Sequence, residues 1–362
     1  MTMNSKITVK DKQRIIYLDY LRIAATFCVV VLHISGQNWY TTSVNSFEWH
    51  VLNFYDSIVR WVVPIFVMIS GALFLDNEKE LSVNKLFSKN ILRITTALIF
   101  WSSFYALDEG IQGANFSSFF ISMLEVNYHL WFLIMLIGLY ITVPIFRKIT
   151  ESSQLTKYFL VISLIFTFLI PNLLNLLTLL EISVAGKAFE AIQVSFSEMN
   201  FHLTLGYTSY FVLGYFLSKV DLNRKLRLLI YILGIIGFIT TILLTARFSS
   251  KMQVAYGEFY SNFSLNVLLE SIFVFVFTRY ELTKITALMK YQSGVLKASK
   301  YSFGIYLVHA VIIEIMIVLL GINNLSFNPI FSIPILSIGV FGVSYLISAI
   351  LNRIPILNKY IV

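Results

Sequence analysis

The chain has 362 residues, of which 57% are hydrophobic and only 13% charged. A soluble domain carries roughly 25% charged residues, so a water-facing surface of this size would be left half bare. One cysteine, Cys28, excludes an intrachain disulfide and a cysteine-based metal cluster.

The apolar residues fall in blocks close to the ~20 residues that a helix needs to cross a bilayer. Ten such segments can be read, at 15–36, 51–75, 91–107, 129–146, 158–179, 201–219, 228–246, 262–279, 301–320 and 331–351. Each is expected to be α-helical, because lipid forces backbone polar groups to pair within the segment. The expected fold class is therefore all-α, a polytopic integral membrane bundle of about ten transmembrane helices. The expected organisation is a basic N-terminal tail over 1–14, a membrane domain over 15–351 and a C-terminal tail over 352–362. The first apolar block contains Asp19 and Arg22 and lacks a small-x-small site. No cleavable leader and no appended soluble domain are expected.

Orientation follows from Lys and Arg. With the N-terminus inside, 22 of the 27 basic residues fall in inner regions, and the outer loops hold only Lys187, Arg247 and Lys251. Both termini are thus expected in the cytoplasm. The net charge of +8 then sits at the cytoplasmic membrane face, and no nucleic-acid partner is expected. The outer connection 108–127 carries Asp108, Glu109 and Glu125 without a basic residue, with a surface helix expected around Phe116–Leu124. A second long outer loop spans 180–200.

Ionisable groups at bilayer depth are costly, and each must be paired or functional. They are Asp19, Arg22, His33, Asp56, Arg60, Glu270, His309 and Glu314. Arg22 and His33 are eleven positions apart, about 1100° at ~100° per residue, so they share one face of the first helix, ~16 Å apart. Asp19 lies three residues before Arg22, within pairing distance. Lipid cannot accept such a face, so it is expected to line a polar cavity. An interfacial Asp19–Arg22 pair with His33 as a packing residue is the simpler alternative. Cys28, about 140° from His33 around the helix, is expected to face away from that cavity. Asp56 and Arg60 form an i,i+4 pair. It is either structural or leaves Arg60 to hold an anionic or carbonyl group. Pro64 and Ile69-Ser70-Gly71 favour a local break or a close helix approach. His129-Leu130-Trp131-Phe132 opens the fourth segment at the outer face, where Trp131 suits an interfacial anchor. His309 sits mid-segment in the ninth span. Glu270 receives no specific role. The chain has no Walker loop, no GxGxxG after a strand, no HExxH and no GxSxG.

Four blocks carry a family resemblance. Tyr17-Leu18-Asp19-Tyr20-Leu21-Arg22 with His33 resembles the opening of the membrane acyltransferase family 3 proteins, whose first span carries an Arg, ten residues and a His. Val63-Pro64-Ile65-Phe66-Val67-Met68-Ile69-Ser70-Gly71, His129-Leu130-Trp131-Phe132 and Tyr301-Ser302-Phe303-Gly304-Ile305-Tyr306-Leu307-Val308-His309 follow in family order. The likeness is to the small stand-alone O-acetyltransferase branch.

The resemblance implies transfer of an acyl group, usually acetyl from acetyl-CoA as co-substrate, to a sugar hydroxyl of a cell-surface polysaccharide or its lipid-linked precursor. It implies a place in a bacterial cell membrane and no metal. His33 matches the family's catalytic histidine, and Arg22 the motif arginine on the acyl-CoA side. Asp19, Arg60, Ser70, His129, Trp131, Tyr306 and His309 are the expected binding residues. The basic inner loops suit CoA, a polyanion, and His33 suits proton abstraction from the attacking hydroxyl. An acyl-histidine intermediate and direct attack on the thioester both fit the sequence. So do a transporter or flippase for a glycan, in which the same cavity makes no bond, and a structural partner in a polysaccharide-synthesis complex.

Overall fold

The computed structural model describes residues 15–111, 116–179, 206–285, 290 and 292–362. The expected N-terminal tail over 1–14, the loop 180–200 with Lys187, the start of the sixth segment and parts of the 108–127 connection lie outside the described residues.

The described residues form helices and no strand. The helix α1 is Ile16–Ser35, and α2 (Phe47–Ser57) and α3 (Val62–Phe74) follow. Val83–Lys85 runs through a wide π-type turn, Leu86–Ile91, into α4 (Leu92–Ile111). Next come α5 (Phe116–Glu125), α6 (Trp131–Ile141), α7 (Val143–Glu151), α8 (Ser153–Ser163) and α9 (Ile170–Leu179). The chain ends with α10 (Tyr207–Lys219), α11 (Arg224–Met252), α12 (Leu265–Tyr280), α13 (Gln292–Val318), α14 (Pro329–Leu351) and α15 (Pro355–Tyr360).

Seven helical stretches are long and apolar enough to cross a membrane: 16–35, 47–74, 153–179, 224–252, 258–284, 292–318 and 329–351. An eighth is α6 with α7, bent by 55° at Thr142. The fourth expected segment is therefore not straight. Pro144 has no N–H to offer the Tyr140 carbonyl, and the chain turns there, with Ile145 and Phe146 donating to the Thr142 carbonyl instead. The third and sixth expected segments coincide with α4 and α10. The helix expected around Phe116–Leu124 is present as α5. Several helices outrun their apolar blocks. The seventh begins at Arg224, where the Asn223 side chain accepts from the Leu226 amide at 2.9 Å, a cap that hydropathy does not register.

Burial sorts the helices by depth. In α1, 61% of the apolar window is buried, against 17% over 153–179 and 22% in α11. The last two present their apolar side chains outward, as lipid-facing helices do, and α1 is the central element. It packs against α3, α13 and α14 through Leu21, Ala25, Val30 and Ile34, all essentially inaccessible.

One crossing sets the spacing of the core. Gly71 of α3 and Gly214 of α10 face the partner's backbone directly. A Cβ at Gly71 would stand 1.8 Å from the Phe211 carbonyl oxygen, and one at Gly214 would stand 2.1 Å from that of Met68. Small residues let membrane helices approach this closely.

Polar residues tie the ends of these helices together. Asp76, after α3, accepts from Lys219 at 2.8 Å and Lys79 at 3.1 Å, and its backbone carbonyl accepts from Arg147 at 2.9 Å. Burial alone would raise the Asp76 carboxyl. The hydrogen bonds from Lys219 and Lys79 outweigh it and hold the group below its ordinary value.

Two outcomes follow. Gly71→Ala is expected to destabilise the bundle by at least about 1–3 kcal/mol, the usual cost of overpacking, whereas Gly339→Ala, which meets nothing within 4 Å, is neutral. Thermal unfolding of the two variants in detergent compares them directly. A carboxyl held low in the folded state stabilises fully above its ordinary value of 3.8 and loses that contribution as pH falls through the lower, folded value. Asp76→Asn is therefore expected to lower the melting temperature near neutral pH. It is also expected to flatten the acid dependence below 3.8, as read from melting temperature against pH.

Candidate active site

Three imidazoles from three parts of the chain meet beside the C-terminal end of α1. His33 lies in its last turn, His309 in the middle of α13, and His129 in the turn before α6. The rings of His33 and His309 are 5.1 Å apart, and those of His309 and His129 are 5.4 Å apart. Tyr128 stands edge-on to His33 at 5.2 Å, and Tyr105 to His129 at 5.0 Å.

Hydrogen bonds set the tautomers of two of the rings. His309 Nδ1 lies 2.6 Å from the Tyr306 carbonyl oxygen, which only accepts, so Nδ1 carries the proton. His129 Nδ1 donates to Asn127 Oδ1 at 2.8 Å. Each ring then keeps its lone pair on Nε2, and both Nε2 atoms are buried without a hydrogen-bond partner. Buried polar atoms are nearly always satisfied, so two such acceptors in one cluster mark a place that expects a donor. His33 is half-buried and makes no hydrogen bond among the described residues. It is the ring of the three that a solute can reach.

The helix ends explain the meeting. Tyr306, one turn before His309, donates its hydroxyl to the His129 carbonyl and packs on Phe132 at 5.8 Å. This contact pins the turn before α6 to α13. In that turn Val126 has φ +57°, a left-handed conformation that a β-branched residue adopts only under constraint.

His33, His129 and Tyr306 line a cavity of about 200 Å³ with Arg60, Trp131 and Tyr260. Its apolar wall includes Val29, Leu32, Phe66 and Phe132. Arg60 enters because the second segment breaks between α2 and α3. Pro64 cannot donate to the Arg60 carbonyl, and residues 58–61 form turns. The guanidinium is ion-paired with Asp56 and stacked over the Tyr260 ring at 3.8 Å. Tyr260 is held in turn by Asn53 and Ser57. Asp56 is 1% exposed, so losing its partner would strand a buried charge. The arrangement fixes a cationic donor beside the imidazoles without making it mobile.

Arg22 occupies different surroundings. It donates to Asp19 at 3.4 Å and to Ser299 at 3.3 Å, and the Ser299 hydroxyl donates to Asp19 at 2.6 Å. It does not line the His33 cavity, whose α1 wall begins at Val29. Tyr140 feels both Arg22 and Arg93 and lies within reach of Ser70. The Ser70 hydroxyl also donates to the Phe66 carbonyl at 3.0 Å. Beyond Arg93, a groove of about 680 Å³ is lined by Lys89, Arg93, Arg353 and Lys359.

Of the expected site residues, His33, Arg60, His129, Trp131 and Tyr306 share one cavity, and His309 backs it. Asp19 and Arg22 form, with Ser299, a second polar group about three turns away along α1, and Ser70 does not line the His33 cavity. Cys28 is half-buried and absent from the cavity wall. Glu270 accepts from Thr241, which accepts in turn from Asn266 at 2.7 Å. Tyr260, Tyr128, Ser299 and Asn127 escaped sequence reasoning, since a tyrosine or serine in an apolar segment carries no signal of its neighbours. Among the described residues, no three His, Cys, Asp or Glu side chains are placed to hold a metal ion.

A family model described as an acyltransferase domain matches residues 15–349. No curated protein and no solved structure matches the chain.

Proposed function

From the premise that this chain belongs to the acyltransferase 3 family of membrane acyltransferases, we propose that it transfers an acyl group from cytoplasmic acyl-CoA to a sugar hydroxyl. The donor is acetyl-CoA, and the acceptor is a cell-surface polysaccharide or its lipid-linked precursor in a bacterial cell membrane. The observation that carries the reading is the reachable imidazole of His33, set against His309 and facing the fixed guanidinium of Arg60 in one cavity.

The chemistry uses these groups as follows. His33 accepts the proton of the sugar hydroxyl as its oxygen attacks the thioester carbonyl carbon. The C–S bond breaks, the acyl group passes to the sugar oxygen, and the proton passes on to the departing thiolate, giving free CoA. Arg60 faces the carbonyl oxygen as charge develops on it. His309 and His129, each with its Nδ1 proton committed, keep Nε2 as an acceptor for a donor that enters the cluster. Trp131 and Tyr306 bound the space around the reacting groups.

The donor approaches from the basic side. Lys89, Arg93, Arg353 and Lys359 offer a groove suited to the phosphates of CoA. Tyr140 feels the charges of both Arg93, in that groove, and Arg22. Asp19 and Ser299 orient Arg22 for the pantetheine arm.

The topology that serves this chemistry has ten crossings with both termini cytoplasmic, the membrane domain spanning 15–351 between two short tails. It is supported by the placement of 22 of the 27 basic residues on one side.

Two measurements test the reading. His33→Ala is expected to keep expression and folding while lowering transfer of labelled acetyl from acetyl-CoA to surface glycan by about 10²–10⁴-fold, the usual weight of a general base. Undiminished acetylation would remove the mechanism. A translocator would instead move unmodified glycan regardless of acyl-CoA supply. In a Cys28→Ala background, Lys85→Cys is expected to be shielded from impermeant thiol reagents in intact cells and Lys251→Cys to be labelled. The reverse pattern would invert the topology and the side of donor access.

A further inference from the structure

Beyond the rings of His33 and His129 lies a second polar cavity, of about 230 Å³. Its walls include Ser102 and Tyr105 of α4, Ser122 and Glu125 of α5, and Asn127 and Tyr128 of the strained turn. Among the described residues it shares no lining residue with the His33 cavity, yet three contacts join the two. Tyr128 meets the His33 ring, Tyr105 meets the His129 ring, and Asn127 Oδ1 holds His129 Nδ1.

Two observations mark this cavity as built for a ligand. The Ser102 hydroxyl is in a residue 4% exposed and has no hydrogen-bond partner, although a serine in a helix ordinarily satisfies itself on its own backbone. Val126, at φ +57°, separates Glu125 from Asn127. Its strained backbone allows both neighbours to face the same space. The Tyr105 hydroxyl is committed to the Leu307 carbonyl at 3.0 Å, so this residue offers its ring and not its hydroxyl.

Among the described residues, the lining is thus aromatic faces with one carboxylate, one amide and hydroxyls, and no cation. An anion would be repelled by Glu125. An apolar chain would leave the buried Ser102 hydroxyl unpaired, at a cost of about 1–3 kcal/mol, and would take water from the exposed Glu125 carboxylate and the half-buried Asn127 amide. A pyranose ring satisfies all of them: its hydroxyls donate to Glu125 and exchange hydrogen bonds with Ser102 and Asn127, and its C–H face lies on an aromatic ring. We propose that this cavity is the acceptor subsite, holding an uncharged sugar ring of the glycan with one hydroxyl directed past Tyr128 towards His33. The assignment rests on the acyl-transfer reading for its catalytic meaning, though not for the binding itself.

The test uses the full-length protein in detergent. The probe is fluorescently labelled oligosaccharide from the parent cell's own surface polysaccharide, stripped of O-acyl groups with alkali. Direct binding and steady-state transfer from labelled acetyl-CoA are measured for wild type, Glu125→Gln, Ser102→Val and His33→Ala. Glu125→Gln and Ser102→Val are expected to weaken oligosaccharide binding and raise the acceptor KM by about tenfold or more, with the KM for acetyl-CoA unchanged. His33→Ala is expected to bind the oligosaccharide as wild type does while failing to transfer. Wild-type affinity in both cavity variants, or equal rises in both KM values, would overturn the subsite. Oligosaccharide bound by wild type and lost in Glu125→Gln, with no transfer in any sample, would uphold the subsite and overturn the acyl-transfer reading. No binding by wild type would overturn the subsite, whatever transfer is seen.

Discussion

Burying a cation or an imidazole among apolar helices costs several kcal/mol unless a partner is supplied, and this constraint organises the bundle. Arg60 is held by Asp56 and the Tyr260 ring, Arg22 by Asp19 and Ser299, and Arg279 by the carbonyls of Leu217 and Val220. Each pairing joins segments far apart in sequence or fixes a side chain against its own helix. The polar residues therefore specify which helices are neighbours, while the apolar ones, interchangeable against lipid, do not. The close crossing of Gly71 and Gly214 adds a steric rule that hydrogen bonds cannot supply.

Much of this was legible in the chain. The apolar blocks located the helices, and helix periodicity placed Arg22 and His33 on one face of α1. The i,i+4 spacing found the Asp56–Arg60 pair, and Pro64 with Gly71 foretold a break and a close approach. What hydropathy could not register was geometry that depends on partners. The bend at Thr142 comes from Pro144 within an unbroken apolar run. The start of α11 at Arg224 comes from an asparagine cap outside the apolar block. The expectation of one polar cavity along α1 divides into two polar groups because Ala25 and Thr26 lie between them. Ala25 is buried in packing, and the Thr26 hydroxyl turns back to the Arg22 carbonyl at 2.7 Å.

The histidines were individually visible, but their convergence was not. His129 and His309 are 180 positions apart, and no local pattern reports that the Tyr306 hydroxyl reaches the His129 carbonyl. Once that bond is made, the rest of the cluster follows. It brings the turn before α6 onto α13, and α13 is already packed on α1, so His33 and His129 both meet His309.

On the proposed acyl-transfer reading, this convergence bears on how two substrates of unlike chemistry are kept apart. The cations of the groove at Lys89 and Arg353 and the carboxylate of the cavity at Glu125 have opposite preferences, and the histidine cluster stands with the second cavity against it. A polyanionic donor is, on that reading, drawn to the groove and disfavoured at Glu125. An uncharged, hydroxyl-rich acceptor gains nothing from the cations but satisfies Glu125, Ser102 and Asn127. On the proposed reading, the two meet only where each extends its reactive end to His33. The wall of rings between them then acts as the barrier against water, which would otherwise compete with the sugar for the acyl group.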